Sequence, residues 1–141
     1  MSRLIVAIDF DGTIVEHKFP KIGFAVPGAF DWMKKFQDAQ ALLILLTMRS
    51  DGREDGGNYL KDAVDFCKER GIEFWAHNNN PEQATWTASP KVYAHCYIDD
   101  AAIGCPLLRT VSDDGFMADW KKIGPMVMKM IKARRKAFED D

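Results

Sequence analysis

The chain has 141 residues, about one ordinary domain, with 47% hydrophobic and 28% charged residues. At that length roughly 68–70% of the unfolded surface can be buried, so a core needs no disulfide or metal staple. A formal net charge of −2 gives no bulk attraction to polyanions or membranes, and no apolar run approaches the ~20 residues of a membrane span.

The first element, "RLIVAID", is a short continuous run of branched residues bounded by Gly12, which predicts a fully buried strand. "TIVEHKFPKIGFAV" is mixed in character and predicts a loop or short flap. "PGAFDWMKKFQDAQ" predicts a helix, with Pro27 in its first turn and Phe30, Met33 and Phe36 on one face. "ALLILLT" is a second buried strand ending at Thr47, and "MRSDGREDGG" a polar, glycine-rich loop. "NYLKDAVDFCKERG" predicts an amphipathic helix with Leu60, Val64 and Cys67 inward and Gly71 as its stop. "IEFWAH" is a third strand, "NNNPEQATWTASPK" a turn-rich connection, and "VYAHCYID" a fourth strand ending at Asp99. The segment "AAIGCPLLRTVSDDGFMADWKK" has room for a short fifth strand. "GPMVMKMIKARRKAF" predicts a closing helix with an inward stripe of Met126, Met130 and Ile131.

Strands alternate with helices, which predicts one α/β domain over residues 1–141, a doubly wound parallel sheet with helices on both faces. Cys67, Cys96 and Cys105 match neither a disulfide framework nor a zinc site, and no signal peptide is evident, so a reducing cytoplasm is expected. The basic run near the C-terminus is followed directly by acids and reads as a solvated helix end.

Ligands of open α/β sheets bind beyond the carboxyl ends of the strands. Those ends carry Asp9 and Asp11, then Thr47 and Arg49, then His77 and Asn78, then Asp99 and Asp100, with Lys91 at the entrance of the last strand. Four carboxylates would share one crevice. Two like charges ~4 Å apart repel by about 4 kcal/mol at an effective dielectric of 20, so the cluster must take up a proton or a cation. Oxygen ligands alone suit Mg²⁺, which often shares its octahedron with a substrate phosphate. The Gly12–Thr13 turn offers backbone N–H groups to an oxyanion. Thr47 can donate to a phosphate oxygen, and Lys91 can neutralise charge.

These residues carry a resemblance to the haloacid dehalogenase-like (HAD) phosphohydrolases. "DFDGT" resembles their first motif, "LLILLTMR" the second, Lys91 the lysine of the third and "CYIDDAAIG" the fourth, in family order along essentially the whole chain. The resemblance implies that Asp9 is the nucleophile of an aspartyl-phosphate and Asp11 the general acid, then base. Thr47 and Lys91 would orient the phosphoryl group. Asp9, the carbonyl of Asp11, and Asp99 or Asp100 would hold Mg²⁺. An Asp at position 11 favours phosphomonoester hydrolysis over phosphonate or ATPase chemistry in that family. Neither gap where relatives insert a cap domain is long enough for one, so a capless enzyme is expected, with Gly12, Thr13, Arg49 and Asn78 meeting a phosphorylated small molecule or polymer end. A second subunit could roof such a site.

Two other readings share the residues. A signalling receiver also uses an acceptor Asp, an acidic pair, a Thr and a Lys, but with the acidic pair on the first strand. A non-catalytic member would serve as a binding subunit. His17 and His95 read as packing or surface histidines, and Asp113 and Asp114 as loop acids.

Overall fold

The computed structural model describes residues 3–110 and 115–139, so the expectation for Asp113 and Asp114 falls outside the described residues. The elements in chain order are β1 (Ile5–Ile8), α1 (Ala29–Asp38), β2 (Leu42–Leu45), α2 (Tyr59–Glu69), β3 (Ala76–His77), a 3₁₀ turn (Gln83–Thr85), β4 (Cys96–Ile98), β5 (Leu107–Arg109), β6 (Phe116–Ala118) and α3 (Trp120–Ala137). β1 to β4 form a parallel sheet in the order β3-β2-β1-β4, with β5 and β6 as a separate antiparallel pair. Cys67, Cys96 and Cys105 are free thiols. No helix among the described residues is long and apolar enough to cross a membrane.

The sheet alternates strictly between two cores. Leu4, Val6 and Ile8 of the first strand and Leu43 and Leu45 of β2 face one way. There they meet Met33 and Phe36 of α1, Ala63 and Cys67 of α2, and Trp120, Ile123, Val127 and Ile131 of α3. Ile5, Ala7 and Ile44 face the other way and meet only Val92 and Ala94, with Trp75 alongside. The α/β parallel sheet is therefore as expected, but helices on both faces are not. All three α-helices among the described residues pack on one face, and the 78–95 connection with its 3₁₀ turn covers the other.

Right-handed crossovers explain the two faces. The steps β1 to β2 and β2 to β3 run in one direction and put α1 and α2 on the same side. The step from β3 to β4 runs back past β2 and β1, so its connection must cross the opposite side. That connection carries Pro81 and Pro90, each of which removes a helical donor. It is held by side chains instead. Gln83 donates to the carbonyls of Ser89 and Lys91 and accepts from the Tyr93 N–H, and Asn80 donates to the Tyr93 carbonyl.

Three local expectations change. "IEFWAH" yields a strand only at Ala76–His77. The segment after β4 forms the β5–β6 hairpin instead of one strand. The last helix starts at Trp120 with Pro125 inside its second turn, and its buried stripe is Trp120, Ile123, Gly124, Val127 and Ile131. Met126 and Met130 point outward, 59% and 37% exposed. The aromatic start of that stripe matters to the site, because the buried Trp120 indole donates to the Thr13 carbonyl at 2.7 Å.

Gly124 lies where α3 crosses α1, and a Cβ there would overlap the ring of Trp32. In an exposed helix Gly to Ala gains about 1 kcal/mol of propensity, but overpacking costs about 1–3 kcal/mol. Overlap at the base of the ring, next to the α1 backbone, makes overpacking the larger effect. Gly124→Ala is thus expected to lower stability by about 1 kcal/mol in urea titration. An unchanged or raised midpoint would mean that the two helices are not in this contact.

Candidate functional site

β1 and β4 are neighbours, yet β2 follows β1 in sequence on its other side, so the chain's direction of winding reverses between β1 and β4. Crevices at such reversals hold ligands in open α/β sheets. Here the Asp9 N–H extends the ladder to the Ile98 carbonyl at 2.9 Å, which sets the ends of β1 and β4 side by side. An open cavity of about 650 Å³ lies beyond them. Asp9 and Asp11 reach it from β1, Thr47 and Arg49 from the loop after β2, and Asp99 and Asp100 from the loop after β4. His17 and Phe19 close one side from the segment after β1.

Asp9, Asp99 and Asp100 each offer a carboxylate oxygen within 4.8 Å of the others. Thr13 joins two of them. Its hydroxyl lies 3.0 Å from Asp9 Oδ2 and 3.2 Å from Asp100 Oδ1, and it accepts the Asp100 N–H at 3.0 Å. One hydroxyl proton serves one carboxylate at a time, so the other repulsion stands. Burial, the Asp100 carboxylate in hydrogen-bonding contact and the charge of Asp99 push the Asp9 carboxyl up to about 8, against a smaller opposing effect of the Thr13 hydroxyl.

The all-oxygen donor set and the pull of Asp9 toward neutrality fit a hard divalent cation such as Mg²⁺. Asp11 does not join the triad. Both its oxygens accept from Arg49 at 2.8 Å.

Several residues expected to touch a substrate have other tasks. Thr13 is fully buried and acts inside the acid cluster. The Gly12 N–H donates to the Val15 carbonyl and the Thr13 N–H to Phe10, so neither is left to cradle an oxyanion. Gly12 is required for space: its φ is +88°, and a Cβ would collide with Asp100 and His17. Asn78 accepts the Thr47 N–H at 2.8 Å and so shapes the turn after β2. It is not among the residues lining the cavity. Thr47 does line the cavity, with its hydroxyl oxygen accepting the Arg49 N–H at 3.1 Å.

Lys91 is not brought to the cavity. Its ammonium lies 5.8 Å from the centre of the Tyr97 ring. The strand direction explains this. β4 runs toward the cavity, so a residue that precedes it belongs at the far end of the sheet. His17, read as an ordinary histidine, instead sits with Nε2 2.9 Å from Asp100 Oδ2. No spacing rule in the sequence would have found that pair, because a loop of irregular backbone makes it. His95 is structural: its Nδ1 accepts the Ile5 N–H.

A solved structure of a conserved protein from Bacteroides thetaiotaomicron matches with a TM-score of 0.71 and 34% identity, covering 92% of this chain and 93% of that one. The chain belongs to that protein's family. No protein-family model matches the chain, and no curated protein matches it.

The raised Asp9 carboxyl has a measurable sign. Between the ordinary value of 3.8 and about 8, the native state keeps a proton that the unfolded chain has lost. The resulting stability is fully present below that window and is lost as pH rises through it. In chelator, the melting temperature should therefore fall from pH 5 to about pH 8, and Asp9→Asn should flatten that slope. Saturating Mg²⁺ at the upper pH should restore the wild type. A slope identical in both proteins would remove Asp9 as its source.

Proposed function

We propose that the protein is a Mg²⁺-dependent phosphomonoester hydrolase of haloacid dehalogenase type, working through an aspartyl-phosphate on Asp9. The observation that carries this reading is the convergence of the Asp9, Asp99 and Asp100 carboxylates at the ends of two adjacent parallel strands, in an open cavity. Exposed turn acids would spread apart to lower their repulsion. These are held together by the β1–β4 ladder and by Thr13.

In this reading an Asp9 carboxylate oxygen attacks phosphorus. The bond from phosphorus to the leaving oxygen breaks as the bond to Asp9 forms, and Asp11 gives that oxygen its proton. Asp11 then takes a proton from water, whose oxygen attacks the same phosphorus. The bond to Asp9 breaks, inorganic phosphate leaves, and the carboxylate is restored. Mg²⁺ held by Asp9, Asp99 and Asp100 would supply the positive charge that keeps Asp9 ionised and screens the phosphoryl oxygens. Thr47 donates its hydroxyl proton to a phosphoryl oxygen.

A cavity of about 650 Å³ without a cap admits small phosphorylated metabolites and polymer ends alike.

The enzyme should hydrolyse p-nitrophenyl phosphate with Mg²⁺ and lose that activity in excess chelator. Asp9→Ala should fall to background, since no neighbour can replace the nucleophile. Lys91→Ala should keep kcat/KM within about twofold, as a surface change away from the site does. Turnover by Asp9→Ala, or without any divalent cation, would sink the mechanism.

A further inference from the structure

Arg49 is the most confined cation of the cavity wall, with a side chain only 1% exposed. Its Nε donates to Asp11 Oδ2 and its Nη2 to Asp11 Oδ1, both at 2.8 Å. Nη2 also donates to the Lys21 carbonyl at 2.8 Å, and Nη1 to the Pro20 carbonyl at 3.3 Å. The guanidinium carbon lies 5.0 Å from the centre of the Phe10 ring and 5.1 Å from that of Phe19. Its backbone N–H bonds to Thr47. One group thus joins the acid after β1, the loop after β2 and the flap that carries His17 and Phe19.

A surface arginine used for substrate capture would keep donors turned to solvent. This one spends its fork on a carboxylate and two main-chain carbonyls. Bidentate pairing fixes the plane of a carboxylate as well as its distance. Burial makes the arrangement costly to disturb, because removing one partner strands the other's charge. A lysine keeps the charge but cannot make the parallel pair of bonds.

We propose that Arg49 is a positioning residue that acts through Asp11, holding that carboxylate and the flap in one arrangement over the cavity. This rests on the hydrolytic reading above. To reach a leaving oxygen Asp11 must release one of its two bonds to Arg49. The bond it keeps is the pivot about which it turns, so the guanidinium sets the direction from which the acid approaches.

The test compares Arg49→Lys, Asp11→Asn and the double variant on an alkyl phosphate and on p-nitrophenyl phosphate. Alkoxide departure needs the proton from Asp11; p-nitrophenolate departure needs it far less. Arg49→Lys should lower kcat/KM on the alkyl ester by about a hundredfold, the size expected from a ~1 Å misplacement. On p-nitrophenyl phosphate the loss should stay below about tenfold. The double variant should be no worse than Asp11→Asn alone. Equal losses on both esters, or losses that multiply, would overturn the proposal and mean that Arg49 acts on substrate directly.

A second reading does not need the Arg49 variants to fold. In the wild type the Arg49 Nε–H should exchange slowly with water by NMR, and Asp11→Ala should accelerate it. Fast exchange in the wild type overturns the pin by itself. A wild type inactive on both esters removes the hydrolytic reading and this one with it, whereas the outcomes above remove only this one.

Discussion

The repulsion among Asp9, Asp99 and Asp100 is the constraint to which the rest of the structure answers. Two like charges ~4 Å apart at an effective dielectric of 20 oppose each other by about 4 kcal/mol. That is a large share of the roughly 5–15 kcal/mol by which a domain is stable. The backbone holds the acids together, and the strain is relieved by driving Asp9 toward its neutral form. β1 and β4 are adjacent and parallel, so their carboxyl ends must coincide, and the Asp9 N–H to Ile98 carbonyl bond extends the pairing into the acids. Thr13 lies between them as a shared donor, and α3 fixes Thr13 through the Trp120 indole. The hydrophobic core and the acid cluster are thereby one system: α3 packs on the sheet with the same residue that anchors the site loop.

Asp9 and Asp11, two apart in sequence and in the same cavity, are distinguished by their partners. Strand alternation puts both on the same side, and both line the cavity, but the chain bends after β1 and gives each its own partners. Asp9 turns to its fellow acids and is driven toward neutrality. Asp11 turns to Arg49. In the proposed chemistry that division separates the group that bonds phosphorus from the group that handles the proton, and it places the charge of Arg49 where it does not quench the nucleophile.

Much of this was legible in the sequence, for reasons that can be stated residue by residue. The runs before Asp9 and Asp99 are short, apolar and unbroken, so the strands and the site of their ends could be read directly. The strand ends predict a shared acidic crevice, and three of the four carboxylates do converge. Placement failed where side chains reach beyond their own element. Thr13 read as a ligand contact because its neighbour Gly12 opens a turn, but its hydroxyl is consumed between Asp9 and Asp100. Arg49, expected at the end of the second strand, does line the cavity, but its side chain is taken up there by another residue. Its actual partner, Asp11, comes from another strand. Lys91 matches the third motif of the resemblance, but it stands at the entrance of β4, whereas the cavity lies at that strand's other end. The second face of the sheet was misjudged because β/α alternation predicts a helix for every crossover, whereas two prolines leave this one a 3₁₀ turn.

The proposed mechanism stands or falls on whether Asp9 carries the phosphoryl group. Asp11→Asn, incubated with Mg²⁺ and p-nitrophenyl phosphate and quenched in acid, should retain it, because the base for the second step is missing. Peptide mass analysis should then find one added phosphoryl group on the fragment containing Asp9, and none when Asp9→Ala is combined with Asp11→Asn. Hydrolysis without any trapped adduct, or an adduct on a residue other than Asp9, would contradict it.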